Sequence, residues 1–417
     1  MALTEPGIPV VHQDLGDVLT YIEPAKKPFT TMVNKGPKPR DTIFFDTIDK
    51  EDDARLGGVA DGASIDRTAL ENPAANHGKI GGRIQVHQRT LGVGFVAMSV
   101  SDPAGVPDWY AAGVAKKLSE CKGDMELTYH SEQESRDSTT LGSFQLSDLT
   151  RAIGGYINDA APIDTAAAIP EAYRTPSAQI KAISGVSAFK KSDLDALILA
   201  IHVQAGNEHV MLNGFVSAEL LQRIQTFFTE FKAVDGEVPL ARYNQDGSSE
   251  TIKHAVTRYV NAFGQADFMS CGYLNGIRRY TGTSGRAGAC SNGSTAAALT
   301  DEFTDHAGKP GLQVGMKVYG TGIAAGTYIT AINANKKGFT LSAAATADVT
   351  TFYFGAIQHG HLLDMKHWEL RPSLNPGHTN LSDDGAGKHG YIRGIAGLRC
   401  RNPLRQATII TKAAAVS

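Results

Sequence analysis

Two early segments have the hydrophobic pattern of β-strands, and in the second of them hydrophobic and polar residues alternate with a two-residue period for much of its length. These segments are residues 42–48 and residues 84–93. Residues 49–83 between them are dense in Asp, Glu, Gly, Ala and Asn and contain few core-forming side chains. A connection of that length is uncommon in a compact domain. The pattern therefore predicts a long polar hairpin that stands away from a core, with residues 84–93 as its return strand.

A later segment has the spacing of one long amphipathic helix, from about residue 107 to about residue 134. Apolar side chains recur there at three- and four-residue steps, at Ala111, Val114, Leu118, Cys121 and Met125. Lys, Asp and Glu residues, including Glu126, occupy the remaining faces. At 1.5 Å per residue the helix would be roughly 40 Å long. A helix of this length with one narrow apolar stripe is expected to lie across a body.

Residues 1–41 contain six prolines and scattered apolar residues. One short helix is predicted over residues 13–21. A segment broken so often by proline cannot bury its apolar side chains against itself. We therefore expect an arm that packs on the body of this chain or on another subunit.

An α/β alternation begins near residue 190. Two helices are predicted, over 193–205 and 218–231, with Ser192 and Ser217 as their N-caps. Short strands are predicted over 209–212, 255–263 and 268–273, and the first of them is expected to end at Asn213-Gly214.

Residues 281–355 are rich in Gly, Ala, Thr and Ser, with strand-like fragments between turns. They predict a small β-sandwich inserted into the body. Strands are then predicted over 362–371, 391–401 and 407–411.

The charge balance excludes one class of function. The 40 basic residues are matched by 43 acidic ones, a net charge of −3, whereas a protein that coats nucleic acid needs a basic excess. Apolar runs are too short for a spanning helix, the N-terminus has no secretion signal, and the four cysteines are far apart. We therefore expect no membrane contact and reduced thiols in a cytosolic setting.

The densest group of metal-capable side chains is His359, His361, Asp364 and His367. Metallo-hydrolases use an HxHxDH run, but here the aspartate and the last histidine are spaced differently, and no second cluster completes a two-metal site. Polar residues at a strand edge explain the group better, and a metal-dependent hydrolase stays as an alternative.

Other motifs are weaker. Glycines at 320, 322 and 326 resemble a phosphate loop but fit turns, and the acidic run 49–53 fits a solvated loop. Ser143 and Ser294 have no nucleophile signature, and Cys271 and Cys400 fit buried, inert thiols.

The C-terminal region is locally basic, which suits a solvated face or contact with a polyanion or an acidic neighbour; its arginines are Arg393, Arg399, Arg401 and Arg405. No catalytic, cofactor-binding or metal residue is therefore predicted, and no cofactor or enzymatic activity is expected.

The order of elements, an arm, a long hairpin, one long helix, an α/β body and late strands, is distinctive. It resembles the major capsid proteins of tailed phages, whose Hong Kong 97 type of capsid fold is shared with encapsulins. Residues 19–32 resemble the arm of that family, and residues 364–372 and 397–403 resemble its closing strands.

The resemblance implies an α+β tailed-phage major capsid fold with an inserted all-β, Ig-like domain. Its segments would be an N-terminal arm (1–41), an extended hairpin loop (42–97), a peripheral domain with the spine helix (98–189), an axial domain (190–280), the Ig-like domain (281–355) and return strands (356–417).

The resemblance also implies a head protein that self-assembles, as hexamers and pentamers, into the icosahedral shell around the phage genome. Scaffolding, portal and decoration proteins would be partners, contact with packaged DNA would be weak, and the protein would be made in the host cytoplasm and reside in the virion. The other alternative is a phage tail or surface-binding protein whose Ig-like module grips a receptor or glycan. Deleting 281–355 would separate the two, because a shell protein should still assemble.

Overall fold

The computed structural model describes residues 26–51, 61–62, 64, 76–95, 109–135, 137, 148–158, 162, 164–227, 244–245, 252–253, 258–276, 286–301, 312, 317–324, 326–333, 335, 337–354, 357–381 and 387–411. The α-helices are α1 (Pro28–Met32), α2 (Trp109–Tyr129), α3 (Ile153–Tyr156), α4 (Lys191–Gln204), α5 (Ala218–Thr226) and α6 (Gly272–Gly276). The first ten strands are β1 (Asn34–Lys35), β2 (Ile43–Ile48), β3 (Gly78–Arg83), β4 (Gln85–Gly94), β5 (Ile180–Ala182), β6 (Val210–Val216), β7 (Asn244–Gln245), β8 (Ile252–Lys253), β9 (Arg258–Val260) and β10 (Gly264–Ser270). The later strands are β11 (Arg286–Cys290), β12 (Ala296–Leu299), β13 (Val318–Tyr319), β14 (Ile329–Ile332), β15 (Gly338–Leu341), β16 (Val349–Phe354), β17 (Ile357–Leu363), β18 (Trp368–Asn380), β19 (Gly387–Cys400) and β20 (Gln406–Thr411).

Two sheets form the body. One has the strand order β1-β18-β19-β4, and its long strands β18 and β19 pair antiparallel. The other has the order β5-β20-β17-β6-β10-β9. Helices α4 and α5 pack on this second sheet in one apolar core, while the end of α2 belongs to another core shared with α1, β18 and β19. The mixed α+β architecture predicted from the sequence is confirmed.

The early hairpin is confirmed as a pair of strands, but its return strand is not the predicted one. Strand β2 pairs antiparallel with β3, which lies inside the segment predicted as polar connection. The predicted return strand, residues 84–93, forms β4 and pairs with β19 in the body. Strand β3 was missed because it is rich in glycine and carries no alternating pattern. At Gly81 a Cβ atom would lie 2.5 Å from Ala167, so only glycine allows this approach.

The long helix is confirmed and is shorter than predicted. Helix α2 ends at Tyr129, where the side chain of Ser131 donates to the carbonyl of Thr128 at 2.6 Å and closes a turn. Its predicted start at Pro107 and Asp108 lies outside the described residues, as does the helix predicted over 13–21. Glu126, predicted on a polar face, is fully buried.

The described residues between 286 and 354 form the predicted all-β insertion, and we call the segment 286–354 the β-module. Its strand order is β13-β16-β11-β12-β15-β14, and a bridge between Lys317 and Tyr328 joins the two outer strands. The strands thus form one closed set instead of the two separate sheets predicted for a sandwich, and closure removes exposed sheet edges. In its core, Phe339 packs edge-on against Phe352 and Phe354, and the latter two rings are stacked. Its likeness to an Ig-like domain stays a prediction.

Three local details of the predicted α/β region are corrected. Ser217 caps α5 as predicted, but α4 starts at Lys191, and Asp193 accepts the amide of Lys190 where Ser192 was expected to be the cap. Strand β6 runs through Asn213-Gly214, because β10 and β17 pair with it on both sides. The strand predicted over 362–371 is two strands, separated by a 3₁₀ turn over Met365–His367 that Asp364 caps.

Candidate functional site

The described end of the N-terminal arm is anchored in the body by one aromatic side chain. Phe29, in α1, is fully buried. Its ring packs edge-on against Phe215 and Trp368, with ring centroids 5.6 and 6.1 Å away. Burying a phenylalanine side chain contributes about 2–3 kcal/mol. The arm is therefore held where it meets the two sheets.

The carboxylate of Glu126 holds the backbone of the same segment. It accepts the backbone N–H groups of Phe29 at 2.9 Å and of Thr30 at 2.8 Å. These amides lie in the first turn of α1, where no preceding carbonyl can accept them, and α1 has no side-chain cap of its own. A carboxylate that lies 97 residues away in the sequence thus caps the short helix.

Glu126 and His130 form a buried ion pair one helical turn apart, with 3.3 Å between Oε1 and Nε2. Burial favours neutral Glu126, but hydrogen bonds from His130 and Thr30 outweigh it and hold the pKa of Glu126 below its ordinary value. Burial likewise opposes a charge on His130, yet the sulfur of Cys271 and the carboxylate of Glu126 outweigh it and raise the pKa of His130 to about 9. At neutral pH the pair is ionised.

Cys271 and His361 lie beside this ion pair. We call the four residues the arm-base cluster: Glu126, His130, Cys271 and His361. Cys271 follows β10, and its Sγ lies within 4.8 Å of a carboxylate oxygen of Glu126 and of a ring nitrogen of His130. The ring of His361, in β17, stacks on His130 at a centroid distance of 5.5 Å. Burial and the charge on His130 lower the pKa of His361 well below its ordinary value, so this ring is neutral.

Only one of the four histidine and aspartate residues considered for metal binding belongs to this cluster. His361 does, but its Nδ1 lies 3.1 Å from the hydroxyl of Thr408. His359 is paired with the hydroxyl of Thr411. Asp364 and His367 lie at the 3₁₀ turn, where Asp364 accepts the amide of Lys366. The structure does not bring the four side chains together.

The remaining partners of the cluster could not be found from sequence. Glu126 and His130 are four residues apart and share a helix face, which is the only local signal. Cys271 was expected to be an inert buried thiol, and it is buried, as is Cys400. Cys271 meets Glu126 of α2 only because it directly follows β10, which ends beside that helix.

The predicted basic surface near the C-terminus is largely neutralised by internal ion pairs. Arg399 bonds both Asp46 of β2 and Glu369 of β18, and Arg401 reaches the same Glu369. Arg399 therefore connects the hairpin to the four-stranded sheet. Arg393 and Arg405 are likewise engaged, with Gln88 and Glu208 respectively.

Two buried arginines escaped prediction altogether. Arg83, at the end of β3, is paired with Asp164 at 2.7 Å and Asp148 at 3.1 Å. Arg151 is fully buried; it donates to Glu134 and to the backbone carbonyl of Gly81. Both secure β3 to the body, and no sequence motif marks either of them.

The weaker motifs occupy turns. Residues 320–326 join β13 to β14, with Gly322 and Gly326 at positive φ as turns require. The side chain of Ser294 accepts the amide of Ala296 in a turn of the β-module. Asp49 and Glu51 are exposed; Ser143 and part of the acidic run lie outside the described residues.

Comparison with known proteins decides the family. A family model described as SU10 major capsid protein matches residues 3–304, which is more than half of the chain. The chain belongs to the SU10 major capsid protein family. It is a tailed-phage major capsid protein, and its function is that of a structural protein of the head shell. The predicted head-protein function is thus confirmed over that of a tail or surface-binding protein.

A solved capsid structure shows the same fold for this capsid protein. The capsid of cyanophage P-SCSP1u is similar over 97% of this chain and 94% of that chain, with a TM-score of 0.50 and 10% identity. The capsid chain of an empty GTA particle is similar over 98% of this chain and 98% of that chain (TM-score 0.49, 9% identity). That of cyanophage Pam1 is similar over 99% of this chain and 99% of that chain (TM-score 0.48, 8% identity). The first of these carries the fold comparison.

No curated protein matches the sequence. Among the residues that the structure describes, no helix combines the length and apolar character needed to cross a membrane.

Proposed function

We propose that this capsid protein acts purely as a structural subunit and associates with its copies as hexamers and pentamers of a closed icosahedral shell around the phage genome. The proposal rests on an exposed aromatic side chain on the hairpin of β2 and β3. In β2, Phe44 and Asp46 point into the body, whereas Phe45 is 50% exposed. A half-exposed aromatic ring on a two-stranded sheet suits contact with another subunit.

The long sheet supports the same conclusion. At one end of it, the last residue of β4 pairs with the first residue of β19, and the last residue of β18 pairs with Gly390. Phe95 and Leu381 are 40% and 51% exposed at this end, and Leu374 is 48% exposed farther along β18. Obligate assemblies bury apolar surface of this kind over large interfaces. Rings of subunits require such contacts between unlike surfaces.

The hydrogen bonds of the histidine and aspartate residues considered for a metal-dependent hydrolase support a structural role. His359 and His361 are paired with threonine hydroxyls of β20, and Asp364 caps a turn. Each of these side chains therefore holds the neighbouring backbone or strand, as expected of residues that build a sheet. This arrangement supports a structural subunit over a metal-dependent hydrolase.

The finer partners follow from the surface of the chain. The net charge of −3 supports weak contact with packaged DNA. Strands β11 and β16, the first and last of the β-module, pair directly, with Arg286 opposite Phe352. A module held at two adjacent points is suited to project from the shell, where a decoration protein or the host surface could be met. Scaffolding and portal proteins would act during assembly in the host cytoplasm, and the finished subunit would reside in the virion.

Substitution of Phe45 tests the proposal. The variant Phe45→Asp should remain folded, because the side chain points away from the core, and should lose at least about tenfold in the yield of particles, equivalent to about 1.4 kcal/mol per subunit contact. The variant Phe45→Leu should retain assembly. Particles are counted by negative-stain electron microscopy, and folding is checked by circular dichroism.

Thr350→Asp is the matched control, because it adds the same charge at an exposed site of the β-module. It should assemble like the unmodified chain. Normal particles from Phe45→Asp, or equal loss in both aspartate variants, would contradict the proposed role of the hairpin face.

A further inference from the structure

The arm-base cluster contains three different types of metal-binding side chain. A carboxylate, an imidazole and a thiol, from Glu126, His130 and Cys271, lie with their ligand atoms within 4.8 Å of one another. All three residues are fully buried or nearly so. Mixed nitrogen, oxygen and sulfur ligands suit zinc and other borderline divalent ions.

The spacing within the cluster is close to that of a coordination shell. Ligand atoms bound to one tetrahedral zinc ion at 2.0–2.3 Å lie about 3.3–3.8 Å apart. Oε1 of Glu126 and Nε2 of His130 are already 3.3 Å apart. Cys271 lies on a different element, directly after β10, and its amide is bonded to Val216. A shift of the cysteine side chain by about 1 Å would bring its sulfur to the bonding distance.

A neighbouring imidazole leaves one polar atom unsatisfied. Within the described part of the chain, Nε2 of His361 is buried without a hydrogen-bond partner. Such atoms are uncommon in proteins and call for an explanation, of which a bound ion is one. His361 stacks on His130 and offers a further nitrogen donor beside the three-residue group.

The ligand set matches the charge of a divalent ion. One carboxylate, one thiolate and one neutral imidazole together carry two negative charges, so an ion with charge +2 bound to them buries no net charge.

We propose that Glu126, His130 and Cys271 form a binding site for a divalent ion of the zinc class beneath the N-terminal arm. Phe29 covers His130, with 5.6 Å between ring centroids, so the ion would enter while the arm segment is open or while the chain folds. Oε2 of Glu126 accepts Thr30 and would remain available to hold the arm. The bound ion would thus fix the base of the arm on α2.

Cobalt(II) is the probe for this site, because a thiolate ligand gives Co²⁺ an intense charge-transfer absorption. The full-length chain is unfolded with a chelator present, freed of chelator and refolded with increasing Co²⁺. The expected result is a saturable thiolate-to-cobalt band at one ion per chain and displacement of Co²⁺ by Zn²⁺. Absence of a saturable band in the unmodified chain would overturn the proposal.

Two cysteine variants locate the site. Cys271→Ser should abolish the charge-transfer band and weaken Co²⁺ binding at least about tenfold. Cys290→Ser, which alters another buried thiol in the β-module, should leave both unchanged. A band that persists in Cys271→Ser or disappears in Cys290→Ser would place the ion elsewhere and overturn the assignment. If Cys271→Ser does not fold, the titration of the unmodified chain still decides whether the site exists.

Discussion

The carboxylate of Glu126 accepts the backbone N–H of Phe29 at 2.9 Å, across 97 residues of sequence. This bond joins the arm to the long helix. Glu126→Gln should lower the free energy of unfolding by about 3 kcal/mol, because breaking a buried ion pair leaves His130 without its counter-charge. Chemical denaturation of the unassembled chain measures the loss, and hydrogen exchange at Phe29 and Thr30 should become faster.

Glu120→Gln is the matched control on the same helix. Glu120 pairs with Lys117 near the surface, with 28% of its side chain exposed. Such pairs contribute about 0–1 kcal/mol. Similar losses in the two variants would show that the buried pair does not anchor the arm.

His87 should make the fold sensitive to acid. Burial against Tyr129 lowers the pKa of His87 to about 4, from 6.5. The unfolded chain therefore binds this proton more readily than the folded chain. The free energy of unfolding is therefore unaffected by this proton above pH 6.5. It decreases as the pH falls towards 4, by at most about 3 kcal/mol.

His87→Gln should flatten this part of the stability profile. Urea denaturation at pH values from 4.5 to 8 measures it. His209→Gln, at an exposed histidine, should keep the slope of the unmodified chain. An unchanged slope in His87→Gln would mean that other groups carry the acid sensitivity.

The ion pair between Asp46 and Arg399 should hold the hairpin on the four-stranded sheet. Both side chains are largely buried, and Arg399 also bonds Glu369. Asp46→Asn should lower the free energy of unfolding by about 1–3 kcal/mol, since a hydrogen bond between charged groups is weakened. Glu369 still balances the charge of the arginine. Hydrogen exchange should accelerate in β2 and β3 more than in β18. For Thr47→Ala, an exposed change on the same strand, we expect no such effect.

The β-module should be separable from the shell function. The described residues of its apolar core lie between Cys290 and Phe354, and Ile332 beside this core also packs against Leu149 outside the module. Its first and last strands are neighbours, so a short Gly-Ser linker can replace residues 286–354. The shortened chain should still form particles by electron microscopy, and the isolated module should unfold cooperatively. Failure of the shortened chain to assemble, with its remaining part folded, would show that the module takes part in shell contacts.

Local patterns predicted much of the fold. The apolar stripe of α2 was visible because Cys121 and Met125 follow a helical period, and Ser217 marked the start of α5 by its capping chemistry. The order of these elements supported the capsid fold, which the family match confirms. Local signals also outlined the β-module, although its closure depends on Lys317 meeting Tyr328.

The arm-base cluster could not be predicted in the same way. Glu126 carries the same charge as its solvent-facing neighbours on the helix, and only the fold reveals that it is buried beside Phe29. Strand β3 was missed because close packing there requires glycine, which gives no apolar signal. The Asp46–Arg399 pair spans 353 residues, a separation that no local pattern encodes.

A side-chain-resolution reconstruction of the assembled particle would show which subunit holds the arm and what covers the hairpin face. We expect Phe29 and Glu126 to hold the arm on their own subunit, while the exposed ring of Phe45 is covered by a neighbouring subunit around the hexamers and pentamers. Particles in which Phe45 faces solvent in every subunit would contradict this expectation.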